Sequence, residues 1–114
     1  MSSLTMTDVM THFKLGCYYQ VTLDDYFLPS LQCTIHDEQI HIVNDICYYV
    51  VRLSYANGMT TQEINLLFFV KPENKEKVIE VEVIYMYITN NMHHGSTIYR
   101  FKLDRTVFDA CVPL

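Results

Sequence analysis

Adjacent His93 and His94, followed by Gly95, stand out in the stretch "NNMHHGST". Imidazoles ligate zinc and act as general bases, so the pair raises both chemistries. A zinc site needs three or four ligands converging from different elements. His12, His36 and His41 stand at no ligand spacing from the pair, and no metal site is expected. A base needs a partner group to define a reaction, and none is identifiable. Acid pairs Asp24-Asp25 and Asp37-Glu38 are explained by turn chemistry. There is no nucleophile elbow, and three glycines in the whole chain leave no glycine-rich phosphate loop. The expectation is a protein that is not an enzyme and carries no cofactor.

The elements that would position these residues follow from hydrophobic period. Met6, Val9, Met10 and Phe13 recur at helical spacing, with Thr5 or Thr7 as cap and Gly16 as stop. Beyond Gly16 the period becomes two, which predicts strands. "ANGM" carries Asn57-Gly58, a strong hairpin signal. A loop there pairs Ala56 with Met59 and Tyr49 with Leu66, and puts Arg52 opposite Glu63. The polar loop around Pro72 pairs Val70 with Ile79, Phe68 with Val81, Leu66 with Val83 and Ile64 with Tyr85. Keeping Tyr99, Phe101 and Leu103 on that same face pairs Thr89 with Thr97, which makes Asn90 to Ser96 a loop with the two histidines at its tip. Upstream, a turn at Asp37-Glu38 pairs Cys33 with Ile42, and Asn44-Asp45 makes a further turn. The tail "DRTVFDACVPL" reads as a short helix or an eighth strand.

The sum is a single domain, 1–114, mostly β in an α+β arrangement. An N-terminal helix precedes a seven-stranded antiparallel meander. One apolar helix face cannot cover seven strands, so the sheet must curve strongly or form a partial barrel.

Composition narrows the function classes. Half the residues are hydrophobic and 18% are charged, which excludes a disordered chain. The net charge of −5, with lysines interleaved among glutamates, disfavours nucleic acid. No run of about 18 apolar residues marks a membrane span. The N-terminus lacks a basic start followed by an apolar block, so a cytoplasmic or nuclear, non-secreted protein is expected. Cys17, Cys33, Cys47 and Cys111 then read as reduced thiols. The first three fall on the apolar side of strands.

Two surfaces remain as candidate sites. The outward face of the sheet holds Tyr48, Leu67, Phe69, Ile84, Met86 and Ile88, with Tyr18 and Val50. A contiguous group of such residues predicts docking of a protein partner, most economically a second copy in a homo-oligomer. This reading makes the chain an interaction module: an adaptor, inhibitor or complex subunit. The inward face holds Tyr19, Tyr49, Tyr55, Tyr85, Tyr87 and Tyr99. Buried phenols need partners, so the alternative is a tyrosine-lined cavity for a small apolar ligand.

Overall fold

The computed structural model describes residues 4–23, 26–36, 41–89 and 105–114 in full, and the backbone of 92–101. The acid pairs Asp24-Asp25 and Asp37-Glu38, and Leu103, lie outside the described residues. Among the described residues two short helices accompany eight strands: α1 (Met6–His12), β1 (Tyr18–Leu23), β2 (Tyr26–His36), β3 (His41–Val43), β4 (Ile46–Asn57), β5 (Thr60–Lys71), β6 (Asn74–Thr89), β7 (Met92–Phe101), α2 (Thr106–Ala110) and β8 (Cys111–Pro113). The expected tail is therefore both a helix and a strand. The order across the sheet is β7-β6-β5-β4-β2-β1-β8, with β3 paired to β4. All pairings are antiparallel. The sheet curls into a half-barrel.

Bulges support that curvature. The register shifts between Tyr19 and Val21, between Cys33 and Ile35, and between Met86 and Ile88. An extra residue on one strand bends it and increases the local twist.

Turn chemistry sets the tight hairpins. Asn44 and Asp45 both take positive φ, 51° and 65°, as a two-residue type I′ loop demands. Val43 accordingly pairs with Ile46. At the next hairpin the loop is Gly58-Met59, with Asn57 paired to Thr60. Gly58 takes φ 63°, the glycine-first arrangement of a type II′ loop. This corrects the expected pairing by two residues: Tyr49 faces Phe68, and Arg52 faces Asn65. Phe68–Val81, Leu66–Val83 and Ile64–Tyr85 pair as expected. A bulge then moves Val70 onto Val78, in place of Ile79.

Two pairings differ more. Cys33 pairs with Leu53, and Ile42 with Cys47. Thus β2 does not turn back on β3; both run along the same edge of β4. At the other end Thr89 pairs with Met92 and Ile88 with His93. The two histidines therefore belong to a strand rather than a long loop, and the shift of four residues leaves Tyr99 opposite Val83.

The concave face makes the core. Tyr19, Val21, Leu23, Leu31, Cys33, Cys47, Val51, Leu53, Ile64, Leu66, Phe68, Val81 and Val83 are all buried there, with Leu4, Met6, Val9 and Phe13 from the helical segment. Met10, expected on the buried stripe, is 38% exposed. Helix α1 starts with a capping box: Thr5 Oγ1 accepts from Asp8 N–H at 3.1 Å, and Asp8 Oδ2 accepts from Thr5 N–H at 3.2 Å. Hydrogen bonding from the Thr5 side chain and N–H holds the Asp8 carboxyl below its usual range, with Arg105 adding to the effect. The helix ends at His12, before Gly16. Gly16 instead takes φ 86° in a turn closed by Cys17 N–H to Lys14 O at 3.1 Å, the position where a type II turn requires glycine.

Candidate functional site

Alternation along β4, β5 and β6 decides which side chains face outward. Cys47, Val51 and Leu53 are buried on the concave side, so Tyr48, Val50 and Arg52 between them point to the convex side. By the same alternation Leu67, Phe69, Ile84, Met86 and Ile88 share that face. All six candidate docking residues are half-buried. His41 stacks on Tyr48 at 5.1 Å between ring centroids, and Tyr48 meets Phe69 at 5.5 Å. His41, Tyr48 and Phe69 thus form an aromatic ladder across three strands.

A polar seam divides this face. Arg52 Nε donates to Asn65 Oδ1 at 2.7 Å and lies 3.8 Å from Glu63. Asn65 Nδ2 in turn reaches Met86 Sδ at 3.9 Å. Asn65 is 7% exposed, and the seam satisfies its amide as burial requires. Apolar patches flank the seam on both sides: Tyr48, Val50, Leu67 and Phe69 on one, Ile84, Met86 and Ile88 on the other.

The described tyrosines of the concave side differ in setting. Tyr19 is fully buried; its hydroxyl donates to His12 O at 2.9 Å and accepts from Lys14 N–H at 2.7 Å. Burial pushes its phenol up from the ordinary value. Tyr49 packs against the core. Tyr85 also packs there and touches Tyr26 across the curl of the sheet, with ring centroids 4.9 Å apart and Gln62 Nε2 at 3.4 Å from its hydroxyl. Tyr55 is 44% exposed and Tyr87 half-buried. The side chains of Tyr99, His93 and His94 lie outside the described residues. The four cysteines are unpaired. Cys33, Cys47 and Cys111 are buried, whereas Cys17, expected inward, is exposed in the turn before β1.

The folding of the tail creates a site that sequence reading missed. A cleft of about 460 Å³ opens between α1, β1, α2 and the end of β8. His12, Lys14, Tyr18, Tyr19, Arg105 and Phe108 line it. Phe108 stacks on His12, with centroids 4.3 Å apart. His12 Nε2 sits 2.6 Å from Cys111 O. A carbonyl only accepts, so the ring carries a proton on Nε2. Arg105 Nη2 meets Asp8 Oδ2 at 3.0 Å. Positions 14 and 105 share no local pattern; only docking of the tail beside α1 joins them. Comparisons with protein-family models, with curated proteins and with solved structures return no match to this chain.

Proposed function

We propose that this chain is a non-enzymatic interaction module that docks a protein partner, in the first instance a second copy of itself, on its convex sheet face. The observation that supports this reading is where the covering elements go. Helix α1 packs Phe13 onto Phe68 and Tyr19 of the concave side. The tail sets Val107 and Cys111 into the same core, and β8 pairs with β1. Among the described residues, no helix or strand lies over Tyr48, Leu67, Phe69, Ile84, Met86 and Ile88. Tyr, Phe, Met and Arg are the residue types that interfaces favour, and the Arg52–Asn65 seam would supply a directional contact between the two apolar patches. The absence of paired cysteines suits a reducing compartment, the cytoplasm or nucleus. No helix among the described residues is long and apolar enough to cross a membrane.

The test is native mass spectrometry beside thermal melting. The wild type is expected as a dimer or higher oligomer. Leu67→Asp and Met86→Asp are expected to be monomeric, with melting temperatures close to the wild-type value measured under dissociating dilution. A wild type that stays monomeric at high concentration removes self-association. Variants that unfold instead of dissociating would show that this face is core.

A further inference from the structure

We propose that Cys17 and Cys33 form an oxidation site: peroxide converts exposed Cys17 to a sulfenic acid, and buried Cys33 resolves it to an intramolecular disulfide. The pair is set by a bulge just before β1. The pairing of Tyr18 with Gln32 continues one step to Cys17 and Cys33. There Cys33 N–H donates to Cys17 O at 2.8 Å, and Gly16 N–H donates to Cys33 O at 2.8 Å. With Gly16 at φ 86°, this is a bulge with glycine in its first position, and it sets Gly16 and Cys17 together opposite Cys33. Facing residues of an antiparallel pair have Cβ atoms about 4.5–5.5 Å apart. A disulfide needs about 3.5–4.5 Å, and the turn that carries Cys17 takes up the difference.

The two thiols have different exposure, which assigns their roles. Cys17 is exposed and meets the oxidant first; Cys33 is buried. Burial pushes the Cys33 thiol up to about 11, and the neighbouring Cys17 adds to the rise. Its Sγ donates to Ile35 O at 3.7 Å. Since the thiolate is the nucleophile, Cys33 is a poor first target for peroxide. In the first step Cys17 sulfur attacks one peroxide oxygen, the O–O bond breaks, and one water leaves. Cys33 sulfur then attacks Cys17 sulfur, the S–O bond breaks, and the departing hydroxide takes the Cys33 proton as a second water. Two thiols and one peroxide thus give one disulfide and two waters. The other cysteines stand too far from Cys17. Cys111 pairs with Val21, roughly 13 Å along β1 at about 3.3 Å per residue. Cys47 is on β4, with β2 between it and β1.

The test treats the reduced full chain with a slight excess of hydrogen peroxide at low protein concentration. Remaining thiols are then blocked with N-ethylmaleimide in urea and the protein is weighed. The untreated chain should take four maleimides, one per cysteine. The oxidised chain should take two, remain free of intermolecular links, and yield a linked peptide pair containing Cys17 and Cys33. Its urea midpoint should rise, because the link restricts the unfolded chain, and should return with dithiothreitol. Cys17→Ser should lose no thiols to peroxide. Cys33→Ala should stop at the Cys17 sulfenic acid, trapped as its dimedone adduct. Should Cys33→Ala melt early, the peptide map of the wild type carries the same reading. Thiols that survive peroxide, a link to Cys47 or Cys111, or a Cys17–Cys17 dimer would overturn the proposal. So would Cys17 sulfinic acid beside a free Cys33, or a Cys17–Cys33 link that forms only in urea.

Discussion

Cys33 and Cys111 lie in the core, and burial pushes their thiols up to about 11 and about 12. Only the thiolate attacks an electrophile, so at pH 8 a thiol raised to about 11 is ionised in roughly one molecule in a thousand. Cys47 is buried as well, at 3% exposure, and access limits it independently. Cys17 is open to reagent: it is exposed beside Gly16 and Tyr18. Iodoacetamide at pH 8 is therefore expected to add one adduct to the native protein, located by peptide mapping on Cys17. In urea it should add four, one for each cysteine. Native Cys17→Ser should take none. Rapid native labelling of Cys111 would mean that the tail leaves the core often, and the cleft it forms would then be a transient feature. In the sequence, alternation placed Cys33 and Cys47 correctly, because strand parity extends to them. It misplaced Cys17, because parity was carried backward through a glycine turn where the strand had not begun.

Among the elements, the junction of α1 with β1 is the most economical to test. The Tyr19 hydroxyl satisfies two backbone groups at the end of α1, the carbonyl of His12 and the N–H of Lys14. Tyr19→Phe keeps the ring and its burial but orphans both groups. The expected cost is about 1–3 kcal/mol, read as a lower urea midpoint with an unchanged m-value. A cost near zero would mean that water replaces the hydroxyl. That bond was not legible in the sequence, where Tyr19 was one inward tyrosine among several. Strand pairing shows the same limit. The alternation of β4 and β5 fixed which residues face inward, but a shift of two residues preserves every face. Parity alone therefore cannot distinguish Tyr49–Leu66 from the observed Tyr49–Phe68. The four-residue shift between β6 and β7 is the same degeneracy. The β5–β6 register was legible along Ile64 to Phe68 because a polar, proline-containing loop bounded it closely. The run of β2 into β3 along one strand edge was not, since an acid pair in a polar stretch reads as a turn either way.

For the molecule as a whole, the question is what keeps an open sheet curled. Among the described residues, β7 and β8 end the sheet and do not pair, so hydrogen bonds do not close a barrel. The concave face must be held by what fills it. Phe13, at the end of α1, is the centre of that filling: it lies 5.4 Å from Tyr19, 6.0 Å from Phe68 and 6.1 Å from Phe108, ring to ring. It links β1, β5 and α2 at once. The N-terminal end of the same helical segment is tied separately, through Val78 N–H to Leu4 O at 3.1 Å and Thr7 N–H to Glu76 Oε1 at 2.8 Å. Phe13→Ala would therefore leave the helix attached at one end and a cavity at the other. A truncation of this kind costs about 3–5 kcal/mol, a large share of the about 5–15 kcal/mol that holds a domain folded. Tyr55→Ala, at the exposed end of β4, removes a comparable ring outside the filled region and should cost under about 1 kcal/mol. The comparison is made by urea unfolding of both variants. If Phe13→Ala proves as mild as Tyr55→Ala, the curl is intrinsic to the bulged strands, and α1 rests on the sheet without holding it.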